Sequence, residues 1–246
     1  MTLMAEISSP NWNERPEGAA IDTVVLHYTG MKNGSDALER LCDPVAAVSA
    51  HYLIEEDGRV YRLVPEEKRA WHAGVSSWQG RDNLNHSSIG IELVNPGHEF
   101  GYQPFPEGQI KALLVLLEEI RSRRPAISQT RYLGHSDIAP GRKIDPGPLF
   151  PWQRLAGHGF GVFSDKKAGD QTVLLKKGDT GEAAINLNKQ LGIVGYYGCE
   201  CDIIGCGSEN ALKAFQAHWR PEAVNGMLDK GTAIVLDDIA GILMAK

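Results

Sequence analysis

One Pro/Gly-rich stretch, His135-Ser136-Asp137-Ile138-Ala139-Pro140-Gly141-Arg142-Lys143-Ile144-Asp145-Pro146-Gly147, sets a histidine and a carboxylate ten residues apart, with a lysine just ahead of the carboxylate. A hydrolytic zinc site needs these types: nitrogen and oxygen ligands around an open metal position, and a cation near the developing oxyanion. His27, which closes the apolar run Val24-Val25-Leu26-His27, offers a third ligand. Glu92 lies in the otherwise apolar run Ser88 to Asn95, where an ionised group is costly without a partner or a task. Taken singly, each has a plainer reading: His27 as a hydrogen-bonded strand histidine, Glu92 as half of an ion pair at a sheet edge. Taken together, two imidazoles and one carboxylate leave one zinc position for a water of lowered pKa. Glu92 would then move protons during attack on a carbonyl, and Lys143 would stabilise the oxyanion.

The elements that must position these groups read as mixed α/β. Thr23 to Tyr28 is β-rich. Tyr52-Leu53-Ile54 and Val60-Tyr61-Arg62-Leu63 flank Asp57-Gly58, a tight-turn pair, and predict a hairpin. Ser88 to Asn95 predicts a strand with Ile89, Ile91 and Leu93 on one face and Gly90, Glu92 and Val94 on the other. Ile110, Leu113, Leu114, Leu117 and Ile120 recur at helical spacing within Glu107 to Arg124. Arginines at the negative end of that helix dipole and then Pro125 end it. Arg131 to Gly134 predicts a short strand delivering His135 to its loop.

The chain has 246 residues, 42% of them hydrophobic, enough for one large domain or two smaller ones. A net charge of -6 argues against a nucleic-acid binder. No apolar run is long enough for a membrane span, and the N-terminus lacks a secretory pattern. The expected compartment is therefore the cytoplasm, with the periplasm as the alternative if a signal was removed. Nothing in the pattern specifies an oligomeric state. The four cysteines, Cys42, Cys199, Cys201 and Cys206, are too few for a disulfide framework. The last three are close together but match no strong zinc spacing, and read as free or packed thiols rather than as a metal cluster. His51 reads as structural; His86, His98, His158 and His218 read as exposed.

Residues 1–20 read as an N-terminal arm, 21–155 as the catalytic domain, 156–171 as a linker and 172–246 as a small helical domain. Three short helical patterns follow the linker. The first, near Glu182–Leu191, stops at Gly192; the second, Glu209–Trp219, has Ser208 as its N-cap; the third covers Thr232–Met244.

Four segments occur in order: Val25-Leu26-His27-Tyr28-Thr29, Ala70-Trp71-His72-Ala73-Gly74, Ser88-Ile89-Gly90-Ile91-Glu92-Leu93 and the stretch from Gly134 to Gly147. Together they resemble the zinc-dependent N-acetylmuramoyl-L-alanine amidases of the type-2 amidase family, over about residues 20–155. The resemblance implies a central mixed β-sheet flanked by helices, and hydrolysis of the amide between N-acetylmuramic acid and L-alanine in peptidoglycan or muropeptides. It implies Zn2+ held by His27, His135 and Asp145, with Glu92 and Lys143 at catalytic positions. An aspartate rather than a cysteine as third ligand points to the AmpD/AmiD branch. The region of Trp71, His72, Trp78, Arg81 and Asn83 would line the substrate groove, with the tryptophans stacking on sugar or peptide. A non-catalytic peptidoglycan-recognition protein on the same fold is the alternative. Residues 172–243 resemble a three-helix peptidoglycan-binding domain, through Leu175 to Gly181, Ala211-Leu212-Lys213-Ala214-Phe215-Gln216 and Asn225 to Thr232; Asn225 stands where that family often has aspartate.

Overall fold

The computed structural model describes residues 4–197 and 202–245. In chain order the strands are β1 (Met4–Glu6), β2 (Trp12–Glu14), β3 (Thr23–Tyr28), β4 (Tyr52–Ile54), β5 (Val60–Arg62), β6 (Lys68–Ala70), β7 (Ser77–Trp78), β8 (Arg81–Asp82), β9 (Ser88–Leu93), β10 (Tyr132–Gly134), β11 (Val173–Leu175) and β12 (Leu228–Asp229). The helices are α1 (Gly34–Cys42), α2 (Gly97–Phe100), α3 (Glu107–Arg123), α4 (His135–Ile138), α5 (Trp152–Gly157), α6 (Glu182–Val194), α7 (Cys206–Trp219) and α8 (Lys230–Met244). They group into two compact units, Met1–Gly74 with Asn83–Gly134, and Val75–Asp82 with His135–Lys246.

The first unit is built on a six-stranded mixed sheet of order β1-β5-β4-β9-β3-β10. Its centre is parallel: β4 with β9, β9 with β3, and β3 with β10. The predicted hairpin is β4 antiparallel to β5, closed by Gly58 at φ +90. The predicted arm is extended, but it is sewn into sheets: β1 pairs β5, and β2 pairs β6.

Alternation along β4 divides the two faces. Leu53 packs in a cluster with Ala37 and Leu41 of α1 and with Val94. Tyr52 points the other way, and its hydroxyl donates to Glu66 Oε1 at 2.8 Å. That carboxylate also receives Arg123, in the last turn of α3, at 2.8 Å. Helices therefore flank both faces of the sheet. The buried face of α3 carries Ile110, Leu113, Leu116, Leu117 and Ile120, so Leu116 takes the interior place that periodicity gave to Leu114. Gln109 of the same helix donates to the carbonyls of Ile54 and Val94, at 2.9 and 3.0 Å, tying the helix to two strand ends.

In the second unit, β7 and β8 form a two-residue hairpin through Gln79 (φ 50) and Gly80 (φ 73), as a right-twisted ribbon requires. The three C-terminal helices are present, with three boundaries shifted: the end of α6 and the starts of α7 and α8. α6 runs through Gly192 and ends at Gly195, whose φ of +139 and close approach to the Trp78 ring both exclude a side chain. α7 starts at Cys206, so Ser208 is not its N-cap; its hydroxyl instead donates to Asn188 Oδ1 on α6 at 2.8 Å. α8 is capped as its sequence demands, Asp229 accepting from Thr232 N. Within the predicted linker, Phe160 and Val162 are buried and Trp219 Nε1 donates to Val162 O at 2.9 Å, while residues 165–167 and 169–171 are exposed. Cys206 is exposed and outside any disulfide; Cys199 and Cys201 lie outside the described residues.

Candidate metal centre and active site

His27 stands near the C-terminal end of the parallel strand β3. In the register with β9 it lies directly beside Glu92, which lies beside Leu53 of β4. Paired residues on strands about 4.8 Å apart project to the same side, so His27 and Glu92 share one face of the sheet. On β9 the predicted alternation holds: Ile89, Ile91 and Leu93 are fully buried on the opposite face.

The orientation of the His27 ring follows from its neighbours. Ser88 Oγ donates to Leu84 O and lies 3.1 Å from His72 Nε2. His72 Nδ1 in turn faces His27 Nε2 at 3.1 Å. This chain of contacts holds the His27 ring by its Nε2 edge, as outer hydrogen bonds orient a metal-binding imidazole.

His72 is itself held on several sides. Asn85 Oδ1 accepts from the backbone N–H groups of His72 and Ala73, at 3.1 and 2.8 Å. Arg15 donates to the carbonyls of Glu66, Asn85, His86 and Ser88, all within 3.2 Å. Burial, with Arg124 and Arg69 nearby, lowers the Arg15 pKa to about 10. His51 is structural, as expected: its Nδ1 accepts from Gly90 N at 2.9 Å, and burial beside Arg15 pushes its pKa down to about 3.

In the register of β10 with β3, Gly134 pairs Leu26, and His135 follows directly where β10 ends. His135 opens the one-turn helix α4. The loop after it turns tightly, with Arg142 N and Lys143 N both donating to Ala139 O. It then returns so that Ser136 N donates to Asp145 O at 2.9 Å. This closure sets His135 Nδ1 3.1 Å from Asp145 Oδ2. Arg142 bonds Val75 O and lies 3.3 Å from His135 Nε2.

One ligand atom each from His27, His135 and Asp145 lie within 4.8 Å of one another, and all three residues are buried. Two imidazole nitrogens and a carboxylate oxygen are a zinc donor set, and the 3.1 Å between Nδ1 and Oδ2 suits two ligands sharing an ion with bonds of about 2 Å. The family described as N-acetylmuramoyl-L-alanine amidase matches residues 17–148. The chain belongs to that family. It is 36% identical to the N-acetylmuramoyl-L-alanine amidase AmiD of Escherichia coli K12 over 88% of this chain and 81% of that one. It is 37% identical to the 1,6-anhydro-N-acetylmuramyl-L-alanine amidase AmpD of Haemophilus influenzae over 63% of this chain and 91% of that one. A solved structure of E. coli AmiD with the substrate anhydro-N-acetylmuramic acid-L-Ala-D-gamma-Glu-L-Lys superposes with a TM-score of 0.77 at 34% identity, covering 93% of each chain.

The other residues expected to contact substrate in this amidase separate. Trp78 is 1% exposed and set edge-on against Tyr196, so no ring face remains for a sugar. His72 is buried, its Nδ1 3.1 Å from His27 Nε2. Trp71 is half-exposed, its Nε1 donating to Asn13 Oδ1 at 3.0 Å. Arg81 sits half-exposed on the β7–β8 hairpin. Asn83 has φ 53, and its Oδ1 accepts from Arg69 at 3.3 Å. His218 is not exposed: it is 3% accessible and bonded to Asp137. Sequence reasoning passed over Arg15, Asn85, Ser88 and Asp137; only Asp137, two residues after His135, carried a local signal.

Proposed function

We propose that this amidase is a zinc enzyme that hydrolyses the amide between the lactyl carbonyl of N-acetylmuramic acid and L-alanine, with anhydro-muropeptides as its substrate class. The observation that carries the zinc reading is the convergence of His27, His135 and Asp145. The substrate class is supported by the relatives, whose names and bound ligand carry the anhydro sugar.

His27, His135 and Asp145 would hold the ion, which when bound supplies Lewis acidity and lowers the pKa of water towards 7. Glu92, beside His27 on the same sheet face, accepts a proton from the attacking water and returns it to the departing alanine nitrogen. Lys143, held by the turn that also delivers Asp145, stabilises charge on the carbonyl oxygen. Trp71 and Arg81 are the remaining candidates for holding sugar and stem peptide. The helices within residues 172–246 are proposed to bind wall polymer, on the strength of their sequence motifs.

The test is mass spectrometry of anhydro-N-acetylmuramic acid-L-Ala-D-gamma-Glu-L-Lys incubated with the protein, with chelator-treated protein, and with chelator-treated protein given back zinc. The expected products are the free anhydro sugar and a tripeptide with a new alanine amino terminus, lost on chelation and restored by zinc. Intact substrate with zinc confirmed bound would favour a non-catalytic recognition protein.

A further inference from the structure

We infer that His218 and Tyr196 are positioning residues for the metal centre: through Asp137 they fix the short helix that begins with His135. The inference rests on the ligand reading above.

The Asp137 carboxylate is 1% exposed, and both of its oxygens are engaged from far along the chain. Tyr196, just past α6, donates to Oδ1 at 3.1 Å. His218, in the last turn of α7, sets its Nδ1 2.7 Å from Oδ2. The His218 ring has no freedom to leave. It stacks between Trp152 and Trp219, with ring centroids 3.7 Å away on each side and planes within 16° and 5°.

A four-residue helix does not hold its own geometry in isolation. The orientation of α4 therefore depends on what grips it, and Asp137 is the gripped residue. The same turn also holds the second ligand, because Ser136 N donates to the Asp145 carbonyl. A shift of α4 would move His135 and Asp145 together. Tyr196 and His218 thus act two steps away from the ion, through Asp137 and then the α4 backbone. This is the role outer hydrogen bonds play in metal sites, where their loss typically weakens metal binding or activity about 10–100-fold.

The experiment measures zinc affinity by competition with a chromophoric chelator, and the visible spectrum of the cobalt-substituted protein, for His218→Ala, His218→Asn and Tyr196→Phe. Circular dichroism checks that each variant is folded. His218→Ala should bind zinc about tenfold more weakly and change the cobalt bands. Tyr196→Phe should weaken binding by a smaller factor. His218→Asn, whose amide N–H can take the place of the Nδ1 donor, should recover most of the loss. Zinc affinity and cobalt bands unchanged across the folded variants would overturn the inference, as would a loss in His218→Ala that asparagine does not rescue and Tyr196→Phe does not share. If His218→Ala does not fold, the asparagine and phenylalanine variants decide. His27→Ala separates the two readings. Full zinc retention there would overturn the ligand set itself, whereas its loss with affinity intact in the His218 and Tyr196 variants would overturn only the positioning role.

Discussion

Asp145 is a buried carboxylate facing an imidazole, an arrangement that favours a shared cation. Asp145→Ala should leave the protein with close to no zinc by elemental analysis; full occupancy would remove Asp145 from the ligand set. Lys143 has a different expected role. Lys143→Ala should lower turnover about 100-fold while zinc content is unchanged, the usual cost of deleting one group that stabilises an oxyanion. Zinc loss in that variant would make Lys143 a structural residue. Both candidates could be named from the sequence, because a Pro/Gly-rich loop keeps them close together in the chain. The surroundings of His72 were not legible: its sequence neighbours are those of a groove residue, whereas in the fold it is buried between His27 and Ser88.

At the scale of elements, β9 shows why a strand's second face matters. A Cβ at Gly90 would lie 2.3 Å from His72 Cγ, so the glycine makes the space in which His72 reaches His27. Gly90→Ala should destabilise the fold by about 1–3 kcal/mol in urea unfolding and also weaken zinc binding. Gly157→Ala, where a Cβ meets nothing within 4 Å, is the control. An effect confined to stability would sever His72 from the metal site.

The last turn of α3 makes a second elemental contact with a pH signature. Burial alone would raise the Glu66 pKa, but bonds from Arg123, Tyr52 and Arg124 outweigh it and hold the carboxylate below its ordinary value. With the folded pKa depressed, the contribution is full above the unfolded value of about 4.3 and is lost as pH falls through the folded one. Glu66→Gln should therefore flatten the acid limb of a stability-versus-pH curve and lower stability at pH 7. An unchanged acid limb would mean that the arginines contribute nothing through Glu66.

For the molecule as a whole, zinc that binds only the folded chain must stabilise it. Free zinc at 100 times its Kd should add about 2.7 kcal/mol, read as a rise in Tm that a chelator reverses. Asp145→Ala should show no such rise; a rise of equal size would place the stabilising ion elsewhere. Among the described residues no helix is long and apolar enough to cross a membrane.

The sequence by itself determined the fold class, the strands β3, β4, β5, β9 and β10, the helices α3, α6, α7 and α8, and the types of the candidate ligands. These depend on local periodicity, turn chemistry and a loop whose working groups are close in sequence. Boundaries failed where a distant partner intervened: Ser208 is drawn to Asn188 instead of capping α7, and α6 passes Gly192 to stop where Gly195 meets Trp78. Only the tertiary structure decided that His27 sets its Nε2 against His72, that Trp78 is interior, and that His218 is buried between two tryptophans on Asp137. The physical reason is the same in each case. A side chain's exposure and proton placement are set by neighbours that arrive from remote parts of the chain, and no local pattern encodes them.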